Sequence, residues 1–358
     1  MLLDEWKNEL QGFLKSKQIR FLSAVVMPDF FLDRLLDLPW TANEFSTVAA
    51  DVTSRKGGSV DGISQVDFKG GNAVNTALAL AALGVKVVPI LCTSEYGLHL
   101  LDYHFKGKFD LSHVKVFPKA SMTTAFELEA DVGKVNVMLR DVGSLAVFGP
   151  KDLDVKDYDV VNKANFVCLF NWAGTKRYGT VLAKELFREV KMRGRGRTYY
   201  DPADPAPNRE EIAGLVEEVL KSNCVDVLSL NENEAIMYAA LFDKSIEAMR
   251  GKVTAELALE AARVLSEHFS ARIDLHTSVF AASLKDDVEV IVPSFKVKAL
   301  RVTGAGDAWN AGNLFGEGQG LSDGSRLMLA NAVSACYLSN SLGVHPTLDG
   351  LAHFINTV

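Results

Sequence analysis

Residues 301–312 read RVTGAGDAWNAG, a glycine-alanine-glycine turn followed at once by an acid and a helix-like run. Backbone N–H groups at the mouth of a helix have no partner within it, and the helix dipole adds positive potential there. Such a turn is a seat for a phosphate. A carboxylate beside that seat, here Asp307, is placed to take a proton from an attacking hydroxyl. The N–H groups of Gly304, Ala305 and Gly306 would meanwhile stabilise charge on a transferring phosphoryl group. An acid in a first helical turn also complements the dipole with no chemistry at all, and both accounts stand at this point. The turn is not a Walker-type loop, because no glycine loop here ends in GK followed by Ser or Thr. A dinucleotide fingerprint would need a third glycine where Trp309 stands, and it normally opens the first βαβ unit, not the last.

Other stretches carry side chains of chemical interest. Gly70-Gly71-Asn72-Ala73-Val74-Asn75 starts a helix. Bare glycines let a ligand approach the backbone, and Asn75, one turn in, can bond hydroxyls, although a double glycine also serves plain helix–strand packing. Asp33 follows the first strand in PDFFLDRLL, as a solvated loop acid or as a grip on a polar substrate. Asn231-Glu232-Asn233-Glu234 follows DVLSL. Asn231 and Glu234 fit an N-cap and its capping-box partner; alternatively Glu234, at a strand's C-terminal end, holds a magnesium-bound water beside nucleotide phosphates. Arg140, after the VNVML strand, either meets an anionic group on a substrate or lies in solvent.

These residues need a scaffold, and the pattern of the chain supplies one. The 358 residues are 48% hydrophobic and 23% charged, enough for a large core and too apolar for a disordered chain. No apolar run is long enough to cross a bilayer, and a formal charge of −7 provides no basic field for nucleic acid or anionic lipid. Cys92, Cys168, Cys224 and Cys336 are far apart and read as reduced thiols of a cytoplasmic protein. The opening residues place Leu3, Trp6, Leu10, Phe13 and Leu14 at helical spacing, as in a docked helix. RFLSAVVM, VKVVPILC, NFVCLF, RTYYD and DVLSL are short β-rich runs separated by helix-length amphipathic segments. That alternation predicts a mostly parallel sheet covered on both faces. Val302 and Thr303 end an extended segment before the glycine turn. Residues of about 43–69 alternate polar and apolar around RKGGSVDG, which predicts hairpin strands in a small projecting sheet. TTAFELEA and VNVMLR, hinged at DVGK, give further strands near 123–141. The expectation is one α/β domain over 1–358 with a β lid.

In this order the motifs resemble the ribokinase-like, phosphofructokinase B type family of carbohydrate and nucleoside kinases, over about residues 20–350. The resemblance rests on GAGD with its aromatic and small-residue helix, the glycine pair with Asn75, Asp33, YYDPADP, NENEA and the closing NAVSACYLSNSLGVHP. It implies a three-layer α/β/α fold with a small β-sheet lid. It also implies ATP- and Mg2+-dependent phosphoryl transfer to a hydroxyl of a sugar or related polyol. Asp307 would be the base and Gly304, Ala305 and Gly306 the anion hole. Asp33, Gly70, Gly71 and Asn75 would hold the acceptor, with Arg140 near it. Asn231, Thr277, Thr303 and Asn331 fall at nucleotide positions, and Glu234 assists the magnesium. The alternatives are a nucleoside kinase, or a binding or regulatory protein of this fold without turnover. Partners are a small-molecule substrate, not nucleic acid or membrane, and a second copy through the exposed lid sheet. Two departures bear on the nucleotide: CTSEYG at 92–97 replaces a glycine-acid-acid turn, and TSVFAA at 277–282 lacks two glycines. Arg301 stands where the signature has its first Asp, which in members using a monovalent cation helps form the ion site. A guanidinium cannot coordinate a cation, so activity is expected to be indifferent to potassium.

Overall fold

The computed structural model describes residues 2–16, 18–105, 107–131, 133–249, 251–301 and 303–357. Val302, expected at the end of an extended segment, and Val132 of the DVGK hinge lie outside these residues. The first third runs α1 (Leu2–Ser16), β1 (Ser23–Met27), β2 (Phe31–Asp37), α2 (Ala42–Ser54), β3 (Ser64–Gly70), α3 (Asn72–Ala82) and β4 (Lys86–Pro89). It is followed by β5 (Cys92–Thr93), α4 (Glu95–Phe105), β6 (Lys115–Val116), β7 (Ser121–Ala130), β8 (Gly133–Asp141), α5 (Val155–Lys163) and β9 (Phe166–Phe170). Then come α6 (Gly179–Arg193), β10 (Arg197–Asp201), α7 (Ile212–Leu215), β11 (Val227–Asn231), α8 (Glu232–Ala239), α9 (Lys244–Met249) and α10 (Ala255–His268). The chain closes with β12 (Arg272–His276), β13 (Phe280–Lys285), β14 (Val288–Pro293), α11 (Ala305–Gln319), α12 (Asp323–Leu338) and α13 (Leu348–Thr357).

The large sheet has the order β14-β13-β12-β11-β10-β9-β1-β4, parallel from β12 to β4 and antiparallel at β13 and β14. Its strands are apolar on both faces because both are covered, as expected for parallel pairing. Side chains alternate between two cores. Val25, Val167, Leu169 and Leu228 face Val161 of α5, Leu186 of α6, Ile236 of α8 and Leu265 of α10. Val26, Phe166, Cys168 and Val227 face Leu10 of α1, Leu78 of α3, Leu314 of α11 and Leu329 of α12. The result is the three-layer α/β/α arrangement. No described helix is long and apolar enough to cross a membrane.

A second sheet, in the order β3-β2-β7-β8, joins β2 to β7 in parallel and its other neighbours antiparallel. This corrects the hairpin expected over 43–69. Only Ser64–Gly70 is a strand there, while Ala42–Ser54 is helix. Thr41 explains the difference: its side chain accepts from the Glu44 N–H, and the Glu44 carboxylate accepts from the Thr41 N–H. That capping box starts a helix that the local alternation of residues does not show. The helix packs Phe45 on Phe126 of β7, with ring centroids 5.7 Å apart. The strands expected near 123–141 are present as β7 and β8, while β2 comes from the stretch around Asp33, where no strand was expected. Residues 294–299 have no regular structure, so Thr303 closes a loop, not a strand.

Candidate active site

Parallel pairing brings the ends of β1, β9, β10, β11 and β12 to one edge of the sheet. In open α/β sheets ligands bind beyond that edge. Here it carries Asp29, Asn171, Asp201, Asn231 and His276. The start of α11 meets the same edge. Gly304 is its N-cap, with φ 89° in the left-handed region, and no side chain caps the helix. A Cβ at Gly304 would lie 2.6 Å from the Tyr337 hydroxyl, so the position needs glycine on two counts. The first bond back along the helix runs from Ala308 N to Gly304 O at 3.0 Å. The N–H groups of Ala305, Gly306 and Asp307 therefore have no helical acceptor. Helix α12 holds the turn from behind: Tyr337 donates to Thr303 O at 3.1 Å and Ser334 to Ala305 O at 3.1 Å.

Asp307 is 6% exposed. Its carboxylate accepts from Asn75 Nδ2 at 2.9 Å and from Asn72 Nδ2 at 3.1 Å. Burial pushes this carboxyl well above the usual carboxylate range; the Asn75 bond opposes the rise, and the charges of Asp201 and Asp29 add to it. Both asparagines sit in the first turn of α3, which Asp29 seats by accepting from Asn72 N at 2.8 Å and Ala73 N at 2.9 Å. Asn171 donates to the same carboxylate at 2.9 Å. The double glycine now has a cause. Gly71 has φ 103°, and a Cβ there would lie 2.8 Å from Asp29 O; a Cβ at Gly70 would overlap the Asp33 carboxylate. Asp33 Oδ1 is buried and has no hydrogen-bond partner among the described residues. Burial raises its pKa, against the Thr123 hydroxyl and the Arg140 charge. Arg140, Thr123 and Asp33 are direct cross-strand neighbours, and the guanidinium lies 5.0 Å above the Phe31 ring.

At the end of β11 the capping box is present: Glu234 N donates to Asn231 Oδ1 at 3.0 Å, and Asn231 N to Glu234 Oε2 at 2.9 Å. Glu234 is nevertheless 4% exposed, and burial drives its pKa well up, with Asp201, Asp204 and Asp307 adding to the effect. Burial also raises Asp201 to about 6, against the bond from Asn310 Nδ2 at 2.7 Å. No salt bridge among the described residues pairs these acids with a cation, and the nearby Tyr200 and Tyr238 hydroxyls are buried without partners. An oxygen-rich, cation-poor basin suits a hard cation such as Mg2+. No three described His, Cys, Asp or Glu side chains are already gathered to ligate one directly, so the fit is to an ion held through water and ligand oxygens.

The remaining expected residues have structural tasks. The Thr277 hydroxyl accepts from Val279 N at 3.1 Å and Phe280 N at 2.9 Å, closing its own turn, and Ser278 N donates to Glu232 Oε1 at 2.7 Å. Asn331 accepts from Trp309 Nε1 at 2.9 Å and donates to Pro293 O at 3.1 Å, pinning α11 and α12 to β14. Arg301 lies 4.7 Å above the Tyr337 ring, beside Gly343. Sequence reasoning missed Asp29, Asn72, Asp201, Glu232 and Asn310. All five stand in stretches already singled out, Asp29 in PDFFLD, Asn72 in GGNAVN, Asp201 in YYDPADP, Glu232 in NENEA and Asn310 in GAGDAWNAG, but no local pattern marks them individually.

A model of the pfkB family carbohydrate kinases matches residues 44–348. No curated protein matches the sequence. Among solved structures, Arabidopsis thaliana ribokinase complexed with ribose and ATP has a TM-score of 0.70 at 14% identity, over 94% of this chain and 99% of that one. Adenosine kinase from Sinorhizobium meliloti has a TM-score of 0.69 at 17% identity, over 94% and 98%. Ribokinase from Thermotoga maritima has 0.67 at 18%, over 94% and 99%. At these identities the likeness is one of fold.

Proposed function

The chain belongs to the pfkB family of carbohydrate kinases, and on that premise we propose that it transfers the γ-phosphoryl group of ATP to a hydroxyl of a sugar or related polyol. One observation carries the reading. A buried carboxylate of raised pKa, Asp307, stands at the uncapped mouth of α11 between two asparagines of the glycine-started helix. Asp307 takes the proton of the acceptor hydroxyl, and its raised pKa makes it a stronger base than an ordinary carboxylate once ionised. The free N–H groups of Ala305 and Gly306, with that of Gly304, receive the oxygens of the phosphoryl group, whose transfer needs chiefly positioning and charge stabilisation. Asp33, with its unpartnered oxygen, and Asn75 orient the acceptor, and Arg140 reaches it from β8. Mg2+, when bound near Glu234 and Asp201, supplies neutralisation of the nucleotide phosphates. Asn231, Thr277, Thr303 and Asn331 border or brace the nucleotide side.

The small sheet acts as a lid that excludes water, which would otherwise accept the phosphoryl group. A homodimer through this sheet belongs to the same reading, since β8 exposes Val135, Val137, Met138 and Leu139. A cytoplasmic, reduced setting suits the free cysteines. The test is ADP release across a panel of sugars, polyols and nucleosides, run beside Asp307→Asn. Turnover of a sugar or polyol that vanishes in the variant supports the proposal; turnover of nucleosides alone replaces the acceptor class. A second reading, a binding protein without turnover, is favoured by the 277–280 turn, whose N–H groups are already taken by Thr277 and Glu232. Binding of substrate and ATP with no ADP formed would establish it.

A further inference from the structure

One turn along α11 from Asp307, Asn310 is fully buried. Its Oδ1 accepts from the Tyr199 hydroxyl of β10 and the Ser229 hydroxyl of β11, both at 2.7 Å, and its Nδ2 donates to Asp201 Oδ2 at 2.7 Å. Beside an ionised Asp201 the amide can sit only this way round, because a carboxylate accepts and does not donate. The order continues behind it. Tyr199, whose proton goes to Asn310, accepts from Asn313 Nδ2 at 3.2 Å, and Asn313 Oδ1 accepts from the Arg326 guanidinium. A guanidinium has no acceptor and a carboxylate no donor, so the two ends fix the direction of every bond between them. The series runs from Arg326 of α12 through Asn313, Tyr199 and Asn310 to Asp201, and all of these side chains are buried.

We propose that Asn310 is a positioning residue for phosphoryl transfer, holding the Asp201 carboxylate in register with Asp307 on the side of the basin that suits Mg2+. The proposal rests on the kinase reading above. Asp307 and Asn310 stand on one helix, so the base and the group that grips Asp201 move as one body. Among the described residues Asn310 is the one side chain that donates to Asp201; the other donor is Ala203 N, at 3.0 Å to Oδ1. Each carboxylate oxygen is thus held once and keeps a lone pair for the basin. Tyr199 and Ser229 together occupy Asn310 Oδ1, which locks the amide against turning over. Bonds that all donate one way polarise one another, so the series carries the influence of Arg326 to Asp201 through neutral groups. Asp201 is steadied without being paired to a cation, and it stays open to an ion from outside. Partners behind a carboxylate that faces a metal set its orientation and its affinity for that metal. Packing alone does not explain an asparagine here, because an amide buried in a core costs desolvation that an apolar side chain avoids.

The test is calorimetric binding of ATP without acceptor, once with Mg2+ and once with a chelator in its place. The unsubstituted protein should bind the Mg2+ form more tightly. Asn310→Leu, of similar size, should weaken binding of the Mg2+ form by about tenfold or more and that of chelated ATP little. Tyr199→Phe removes one hydroxyl and keeps the ring, so it should shift the same difference in the same direction by less. In turnover, the Mg2+ concentration for half-activity should rise in both variants while KM for the acceptor holds. A side chain needed only for packing would lower both ATP affinities together, or neither. Equal losses for the two forms of ATP, or an unchanged affinity for the Mg2+ form in folded Asn310→Leu, overturn the proposal alone. Should Asn310→Leu fail to fold, Tyr199→Phe and Ser229→Ala decide by the same comparison. An unsubstituted protein that binds neither form of ATP overturns the kinase reading and this proposal together.

Discussion

Helix α11 carries two buried polar clusters built by opposite rules. At its start lies the acid basin of Asp307, Asp201 and Glu234, with no cation among the described residues paired to it and with pKa values held up by burial. Further along, Asn313 and Glu317 join a second cluster around Asp274 of β12. Asp274 accepts from Arg272 at 2.8 Å, Arg326 at 3.0 Å, Asn313 at 2.8 Å and Ser283 at 2.7 Å. Burial alone would raise this carboxyl, but the Arg272 and Arg326 charges hold it well below the usual carboxylate range. Both clusters are deep, both use acids and asparagines, and burial alone does not tell them apart. Balance does. Where the chain supplies its own counter-charges, the cluster fastens the fold. Where it withholds them, something from outside must complete the site.

The largest effect should come from breaking the balanced cluster. Asp274→Asn leaves two buried guanidiniums short of a partner and should cost about 3–5 kcal/mol of stability, read by chemical denaturation. Asp307→Asn should do the reverse. Turnover should fall about a hundredfold or more, which is about 2.7 kcal/mol of barrier, with substrate binding largely retained. The ligand-free variant should be no less stable, because a neutral amide replaces a poorly solvated acid. If Asp307→Asn unfolds as readily as Asp274→Asn, the distinction between the clusters collapses.

A pH scan of the ligand-free protein sharpens the same contrast with a smaller effect. Asp201 titrates near 6 in the folded state, above its unfolded value, so its stabilising contribution is complete in acid and is lost as pH rises through about 6. Asp307 and Glu234 have the same sign. Asp274 has the opposite one, its contribution being lost as pH falls through its depressed folded value. The melting temperature should therefore rise on going from about pH 7 to about pH 5 and fall again in strong acid. A monotonic decline from neutral pH would contradict the unpaired basin. The smallest effect is an expected absence. With Arg301 on the flank of the basin, exchanging potassium for sodium at constant ionic strength should leave activity unchanged, and saturable activation by potassium would refute that role.

Much of this was legible in the sequence, for identifiable reasons. The parallel strands show as apolar runs because both faces are covered, and the GAG turn shows because only glycine tolerates its backbone. Asp307, Asn75, Asp33 and Arg140 are brought to one side of the molecule, as their motifs suggest. In the small sheet β3, β7 and β8 fall within the expected stretches, but β2 was not foreseen and 42–54 is helix, because the sheet is assembled from separated stretches and periodicity reports only local neighbours. The role of Asn310, within the GAGDAWNAG stretch, was illegible for a related reason. Its partners Tyr199, Ser229 and Asp201 lie on other elements, and nothing in the helix pattern marks it.

That assembly bears on how the protein is made. Strand β2 pairs in parallel with β7, Phe31 beside Ser121, and β7 is completed by β8, which ends at Asp141. During synthesis β2 and β3 emerge long before the strands that fill out their sheet, and α2 emerges before Phe126, the ring on which it rests. Contacts of such sequence separation form late, because the loop must close before they stabilise anything. The nascent chain can only hold an unfinished β2–β3 pair with an open edge, and it is at this stage, before the fold is complete, that the apolar residues of β2 and β3 are open to chaperones or to wrong partners.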